Sequence, residues 1–189
     1  MEICGINEVE IVNCRTERKK NMKVISKQRN SKMCIICGMD NPIGLKAQFY
    51  NMEDESVMTI FKYKEEHQSF PQRVHGGLIA TMLDELGLRA LWAKKSEDIF
   101  GVTLSMEVKY RKPVPYDETI IGKGLVKKET SKFIVIDTEL FDKKGNLLAN
   151  AEVKYIKLDV NKISKEVDPH EEMCYLIDDD IKEINFKNE

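Results

Sequence analysis

The sequence predicts an α+β domain in which one antiparallel sheet wraps around a single long central helix. Three observations carry this. The stretch from Leu78 to Lys95 is rich in Leu, Ala and Met, all good helix formers, and is apolar on nearly every side. Two segments before it and four after it alternate apolar with polar residues, the period of a half-buried strand. The links between successive strands are short and polar, which implies antiparallel neighbours.

The elements follow in order. GLKAQFYN sets Leu45, Ala47 and Phe49 against Lys46, Gln48 and Tyr50. SVMTIFKYK places Val57, Thr59, Phe61 and Tyr63 on one face, and the acidic MEDE between these strands forms a hairpin turn. HQSFPQRVHGG is a loop punctuated by Pro and Gly. In the helix, Leu78, Ile79, Met82, Leu83, Leu86, Leu88, Leu91 and Trp92 cannot share one stripe, so it is buried on most sides. GVTLSMEVKY sets Val102, Leu104, Met106 and Val108 against Thr103, Ser105, Glu107 and Lys109, and ends before Pro113 and Pro115. TIIGKGLVKK, KFIVIDTELFD and LLANAEVKYIKL complete the strands, with a turn at Lys143–Asn146 where Gly145 and Asn146 tolerate positive φ.

At 189 residues the chain fits one domain with tails: a basic extension over 1–33, the domain over 34–162, and an acidic appendage over 163–189. The extension carries eight Lys/Arg against four Glu and reads as a short helix or flexible chain; MCYLIDDDIKEINF in the appendage reads as a short amphipathic helix. A net charge of -2 argues against a protein devoted to nucleic acid. No apolar run is long enough to span a bilayer, and the first residues lack a secretory apolar core, which points to a cytoplasmic protein with Cys4, Cys14, Cys34, Cys37 and Cys174 as reduced thiols. A structural zinc site takes four ligands, and Cys34 with Cys37 is one pair that Cys4, Cys14 or His67 would have to complete, so no metal is expected.

Chemistry is sought where local rules break. Asp84 lies mid-helix, with Ala80, Thr81, Gly87 and Leu88 at helical spacing and no cation among them, so the acid faces a desolvation cost. Gly77, Ala80, Thr81 and Gly87 leave room for a slot beside it. The alternative is that Asp84 meets a distant base, or water at a subunit seam. Glu85 differs: Arg89 stands four residues on, the favoured Glu-to-Arg arrangement. His75, Gly76 and Gly77 open the helix, where free N–H groups and the positive dipole end can stabilise an oxyanion. They also suit a plain loop-to-helix junction.

Taken together, VHGGLIATMLDELGLRAL resembles the PaaI-like hotdog thioesterases of the phenylacetate-pathway type, which carry HGG followed by an acid nine positions after the His. CIICGMDNPIGLKAQFY, HQSFP and GVTLSMEVKYRKPVP resemble further motifs of that family in the same order, over about residues 34–158. Ser69 and Gln72 depart from its glycines before HGG. The resemblance implies a hotdog fold, at least a homodimer and up to a homotetramer, with sites at the subunit seam. It implies cofactor-independent hydrolysis of acyl-CoA, the CoA being part of the substrate. By it Asp84 is general base or nucleophile, the Gly77 N–H polarises the carbonyl, and His75 shapes the loop. Gly76 and Gln68 then bind or orient the thioester, Arg111 and Lys112 meet the CoA phosphates, and Thr103 positions water, although a β-branched Thr is also ordinary in a strand. A second reading is a non-catalytic acyl-CoA sensor whose basic arm meets nucleic acid. A third, a hotdog dehydratase, ranks below these, because such enzymes pair a His with an acid in different motifs.

Overall fold

The computed structural model describes residues 20–95, 98–162 and 168–186. In chain order the elements are β1 (Lys20–Lys27), β2 (Gln48–Met52), β3 (Val57–Phe61), a 3-10 turn at Glu65–His67, β4 (Gln68–Phe70), β5 (Arg73–Val74) and α1 (Gly76–Lys94). Then come β6 (Ile99–Tyr110), β7 (Ile120–Glu129), β8 (Phe133–Asp142), β9 (Leu147–Asp159), a second 3-10 turn, α2 (Pro169–Glu172) and β10 (Glu183–Phe186). Eight strands form one sheet in the order β10-β1-β2-β3-β7-β8-β9-β6, every pairing antiparallel. The expected α+β architecture is present, and β4 and β5 add a small hairpin inside the loop before α1.

α1 lies against one face of this sheet, and its Ile79, Met82, Leu83, Leu86, Ala90 and Leu91 are buried with Phe49, Val57, Phe61, Ile120, Ile136, Leu140 and Val153. Strand residues one position out of phase point the other way. Tyr50, Met52, Met58, Ile121 and Phe141 build a second cluster there, closed by Met22 of β1 and Ile184 of β10. This is why β3 is buried at Met58 as well as at Val57 and Thr59.

Three expectations are corrected. β1 falls within the 1–33 extension, read as helix or flexible chain, and β10 falls within the stretch read as an amphipathic helix. They pair with each other, Met22 opposite Ile184, across more than 160 residues of chain. The sheet therefore runs beyond both domain boundaries drawn at 34 and 162. Asp179 fastens the return, bonding the Tyr50 hydroxyl at 2.8 Å and the Lys27 ammonium at 2.7 Å. Residues 1–19, the rest of the basic arm, lie outside the described residues.

The third correction concerns β6. Its register against β9 slips between Thr103 and Ser105, a β-bulge at Leu104. A bulge adds one residue and reverses the in–out alternation beyond it. Gly101 and Thr103 face α1 before it, and Met106 and Tyr110 face α1 after it. Val102 and Leu104, expected on the buried side with Met106 and Val108, are 37% and 50% exposed.

Candidate active site

α1 is not buried all round. Gly77 is exposed and Ala80, Thr81, Asp84 and Leu88 are half-buried; at i, i+3, i+4, i+7 and i+11 they form one stripe facing away from the core. Asp84 is in this stripe. Among the described residues it has no ion-pair partner. Its Oδ1 accepts from the Thr103 hydroxyl at 2.8 Å and from the Tyr155 hydroxyl at 3.3 Å, and Tyr155 also donates to the Asp84 backbone carbonyl at 2.7 Å. Burial pushes the Asp84 carboxyl above its ordinary value, the Thr103 and Tyr155 hydrogen bonds oppose that, and the neighbouring Glu85 charge adds to it.

Tyr155 is the residue the sequence reading missed. It occupies the buried face of β9 in phase with Ala149, Ala151 and Val153, and reads there as core. Its hydroxyl fills the gap left by Gly87, where an added Cβ would stand 2.0 Å from the Tyr155 oxygen. The slot expected beside Asp84 is thus occupied at Gly87 by a phenol that grips the acid. Gly87→Ala is expected to expel Tyr155, lower the melting temperature by several degrees and loosen Asp84, as thermal unfolding would report.

At the helix start the expected free donor is already engaged. His75 caps α1, and its Nδ1 accepts from the Gly77 N–H at 3.0 Å. The His75 N–H donates to the His67 carbonyl, and the Leu78 N–H folds back to the His75 carbonyl. Among the described residues no hydrogen bond takes up the Gly76 N–H. The Gly76 carbonyl accepts from the Tyr110 hydroxyl at 2.9 Å.

Gly76 also lines an open groove of about 370 Å³ with Arg73, Tyr110, Arg111, Lys112 and others. Among the described residues no acid lines it. Arg111 and Lys112 hold neutral partners, the Asn150 and Asn146 side-chain oxygens at 3.0 Å, rather than carboxylates. The groove is positive and can take an anion. Gln68 is exposed on β4 and is not in the groove lining, nor is Asp84. Eight residues separate Gly76 from Asp84, about 12 Å along a helix axis. The chain therefore brings Thr103 and Tyr155 to Asp84, and Arg111 and Tyr110 to Gly76, but holds these two constellations apart.

This arrangement, a sheet curled round one helix whose HGG start and mid-helix acid face outward, is the hotdog fold. Residues 72–149 match the family model of the thioesterase superfamily. Among particular proteins, the chain is 32% identical over 117 residues to acyl-coenzyme A thioesterase THEM4 of Rattus norvegicus, covering 61% of this chain and 49% of that protein. The chain thus spans about half the length of the curated relatives it matches. Solved structures share the fold, two of them as follows. A hypothetical thioesterase protein with coenzyme A from Streptococcus pneumoniae gives a TM-score of 0.54 at 19% identity, covering 60% of this chain and 86% of that one. The E. coli PaaI protein from the phenylacetic acid degradation operon also gives 0.54, at 15% identity, covering 60% and 80%. Among the described residues no helix is long and apolar enough to cross a membrane.

Proposed function

We propose that this chain hydrolyses an acyl-CoA thioester to the free acid and CoA, in a site that two copies of the chain complete together. The observation that carries the reading is Asp84: half-buried, without a cation, its Oδ1 held by two hydroxyls. Oδ2 is left to meet water or the thioester. The name of the curated relatives supports the acyl-CoA class.

Sharing of the site follows from distance. A reacting carbonyl must lie roughly 3 Å from both its nucleophile and its oxyanion donor. Donors about 12 Å from Asp84 along the same helix cannot serve it. A second, antiparallel α1 would bring its own Gly76 opposite. Two features favour such a partner: the outward stripe on α1, and β6, a 12-residue strand at one end of the sheet that exposes Val102 and Leu104.

In this reading Asp84 takes a proton from water as it attacks, or attacks the carbonyl itself to form an anhydride that water then hydrolyses to the free acid; on either route the thiolate of CoA leaves and is protonated. The oxyanion donor is Gly76 rather than Gly77, whose N–H is spent on His75. His75 fixes the helix start, Thr103 and Tyr155 aim the carboxylate, and Gln68 orients the thioester from the neighbouring hairpin. Arg73, Arg111 and Lys112 receive the CoA phosphates.

A panel of aromatic and medium-chain acyl-CoA esters, followed by thiol release, tests the activity; no release from any of them would reject it. Arg111→Ala combined with Lys112→Ala is expected to raise KM about 10-fold or more, with kcat within a few-fold, because these groups bind an anion remote from the reacting bond. A lowered kcat at unchanged KM would remove the groove from the reading. Thr103→Val and Tyr155→Phe each delete a hydrogen bond that favours the ionised acid. Both should move the acid limb of the pH–rate profile to higher pH.

A further inference from the structure

Cys34 to Gly38 fold into a tight turn ahead of β2. The N–H groups of Ile36 and Cys37 both point at the Cys34 sulfur, at 3.3 and 3.5 Å. The Gly38 N–H donates to the Cys34 carbonyl at 2.8 Å, and a Cβ at position 38 would lie 2.4 Å from that carbonyl oxygen, so only glycine closes this turn. The Cys37 sulfur is buried and sits 3.3 Å from the Ser31 hydroxyl.

The third member comes from α1. Glu85 gives Oε1 to Arg89 Nε at 2.8 Å, the helix pairing expected from sequence. That leaves Oε2 turned toward the Cys34 sulfur, 3.9 Å away. The two sulfurs and a Glu85 oxygen all lie within 4.8 Å of one another. Sulfur and oxygen ligands at about 2.0–2.3 Å from one zinc stand roughly 3–4 Å apart, so a small contraction closes the set. Two thiolates and one carboxylate against Zn2+ and the buried Arg89 guanidinium sum to zero, which suits a largely water-excluded place.

We propose that Cys34, Cys37 and Glu85 bind one zinc ion, with the fourth position open to water. Thiolates select zinc over the harder divalent cations. The expectation of no metal rested on the lack of partners for the Cys pair. His67, considered there, cannot serve: its Nδ1 accepts from the Lys64 N–H at 2.9 Å and its Nε2 meets the Ile43 carbonyl at 2.8 Å. Cys4 and Cys14 lie outside the described residues. The completing ligand is instead a helix carboxylate whose visible role is an ion pair. Bound there, zinc ties the turn before β2 to α1 one residue from Asp84. The inference holds or fails independently of thioester hydrolysis.

The test uses the untagged full-length chain, grown with zinc and dialysed, then measured by elemental analysis. About one zinc per chain is expected, falling below about a tenth of that in Cys34→Ser and Cys37→Ser. Glu85→Gln is expected to weaken zinc at least about 10-fold in chelator competition. Cobalt added to the metal-free wild type should give thiolate-to-cobalt charge-transfer absorption, and zinc should shield both thiols from alkylation. These last two readouts need no variant, so a misfolded mutant leaves the test intact. Wild-type chain with only trace zinc and no charge-transfer band overturns the proposal, as does full zinc affinity in Cys37→Ser or Glu85→Gln.

Discussion

Asp84→Asn is expected to lower the proposed acyl-CoA hydrolysis by between about 100- and 10,000-fold, the range spanned by loss of a positioned general base, while leaving the chain folded. Asn is nearly isosteric and its oxygen can still accept the Thr103 and Tyr155 hydrogen bonds that Asp84 accepts. What it cannot do is take a proton or form an acyl intermediate. The stability prediction has a definite sign. Asp84 has its carboxyl raised by burial in the folded chain, so the fold binds that proton more tightly than the unfolded chain does. Its contribution to stability is present below the ordinary carboxylate pKa and is lost as pH rises through the folded value. At neutral pH the ionised acid is a liability, and the Asn variant should melt at the same temperature or higher, the gain vanishing in acid. By the same shift, kcat/KM of the wild type should begin to fall on acidification above the usual carboxylate range. Retention of more than about a tenth of the activity would take Asp84 out of the mechanism.

Arg89→Ala is expected to cost about 3–5 kcal/mol of folding stability, the penalty for removing one partner of a buried ion pair. Arg89 is 1% exposed. Its guanidinium lies over the Phe49 ring at 4.6 Å and the Trp92 ring at 5.0 Å. It donates to Glu85 at 2.8 Å and to the Arg29 carbonyl at 2.7 Å. Truncation would leave a carboxylate and a carbonyl unpaired beside a void. Against a total of about 5–15 kcal/mol for a typical domain, the variant should be marginal. Urea unfolding in the presence of a chelator measures this without any metal contribution; a loss under about 1 kcal/mol would mean that solvent reaches the pair. On a bare helix the same Glu-to-Arg spacing is worth only about 0.2–0.5 kcal/mol. Packing Phe49 and Trp92 over it makes the difference, and nothing local in the sequence announces that.

The contrast runs through the molecule. α1, the strands β2, β3 and β6 to β9, the hairpin turns and the cation-free Asp84 were all legible in the chain, because apolar period, turn residues and missing neighbours are local properties of a segment. The HGG start was legible too, but not the fate of its N–H groups, since the His75 ring that takes the Gly77 donor is chosen by geometry. β1 and β10 were not legible: each is short, and each is a strand because the other supplies its hydrogen bonds from the far end of the chain. The bulge at Leu104 was hidden because GVTLSMEVKY alternates without a break, and only pairing with β9 requires the slip that turns Thr103 toward Asp84.

Local patterning along the chain suffices for the α+β architecture, the long apolar helix and the isolated acid upon it. Tertiary structure alone decided that Tyr155 grips that acid, that Glu85 turns one oxygen to the Cys34–Cys37 turn, and that Asp84 and the Gly76 N–H stand too far apart on one helix to meet the same carbonyl. Periodicity records which side of an element is buried. It carries no record of which distant side chain arrives there, because that is set by how the elements close on one another.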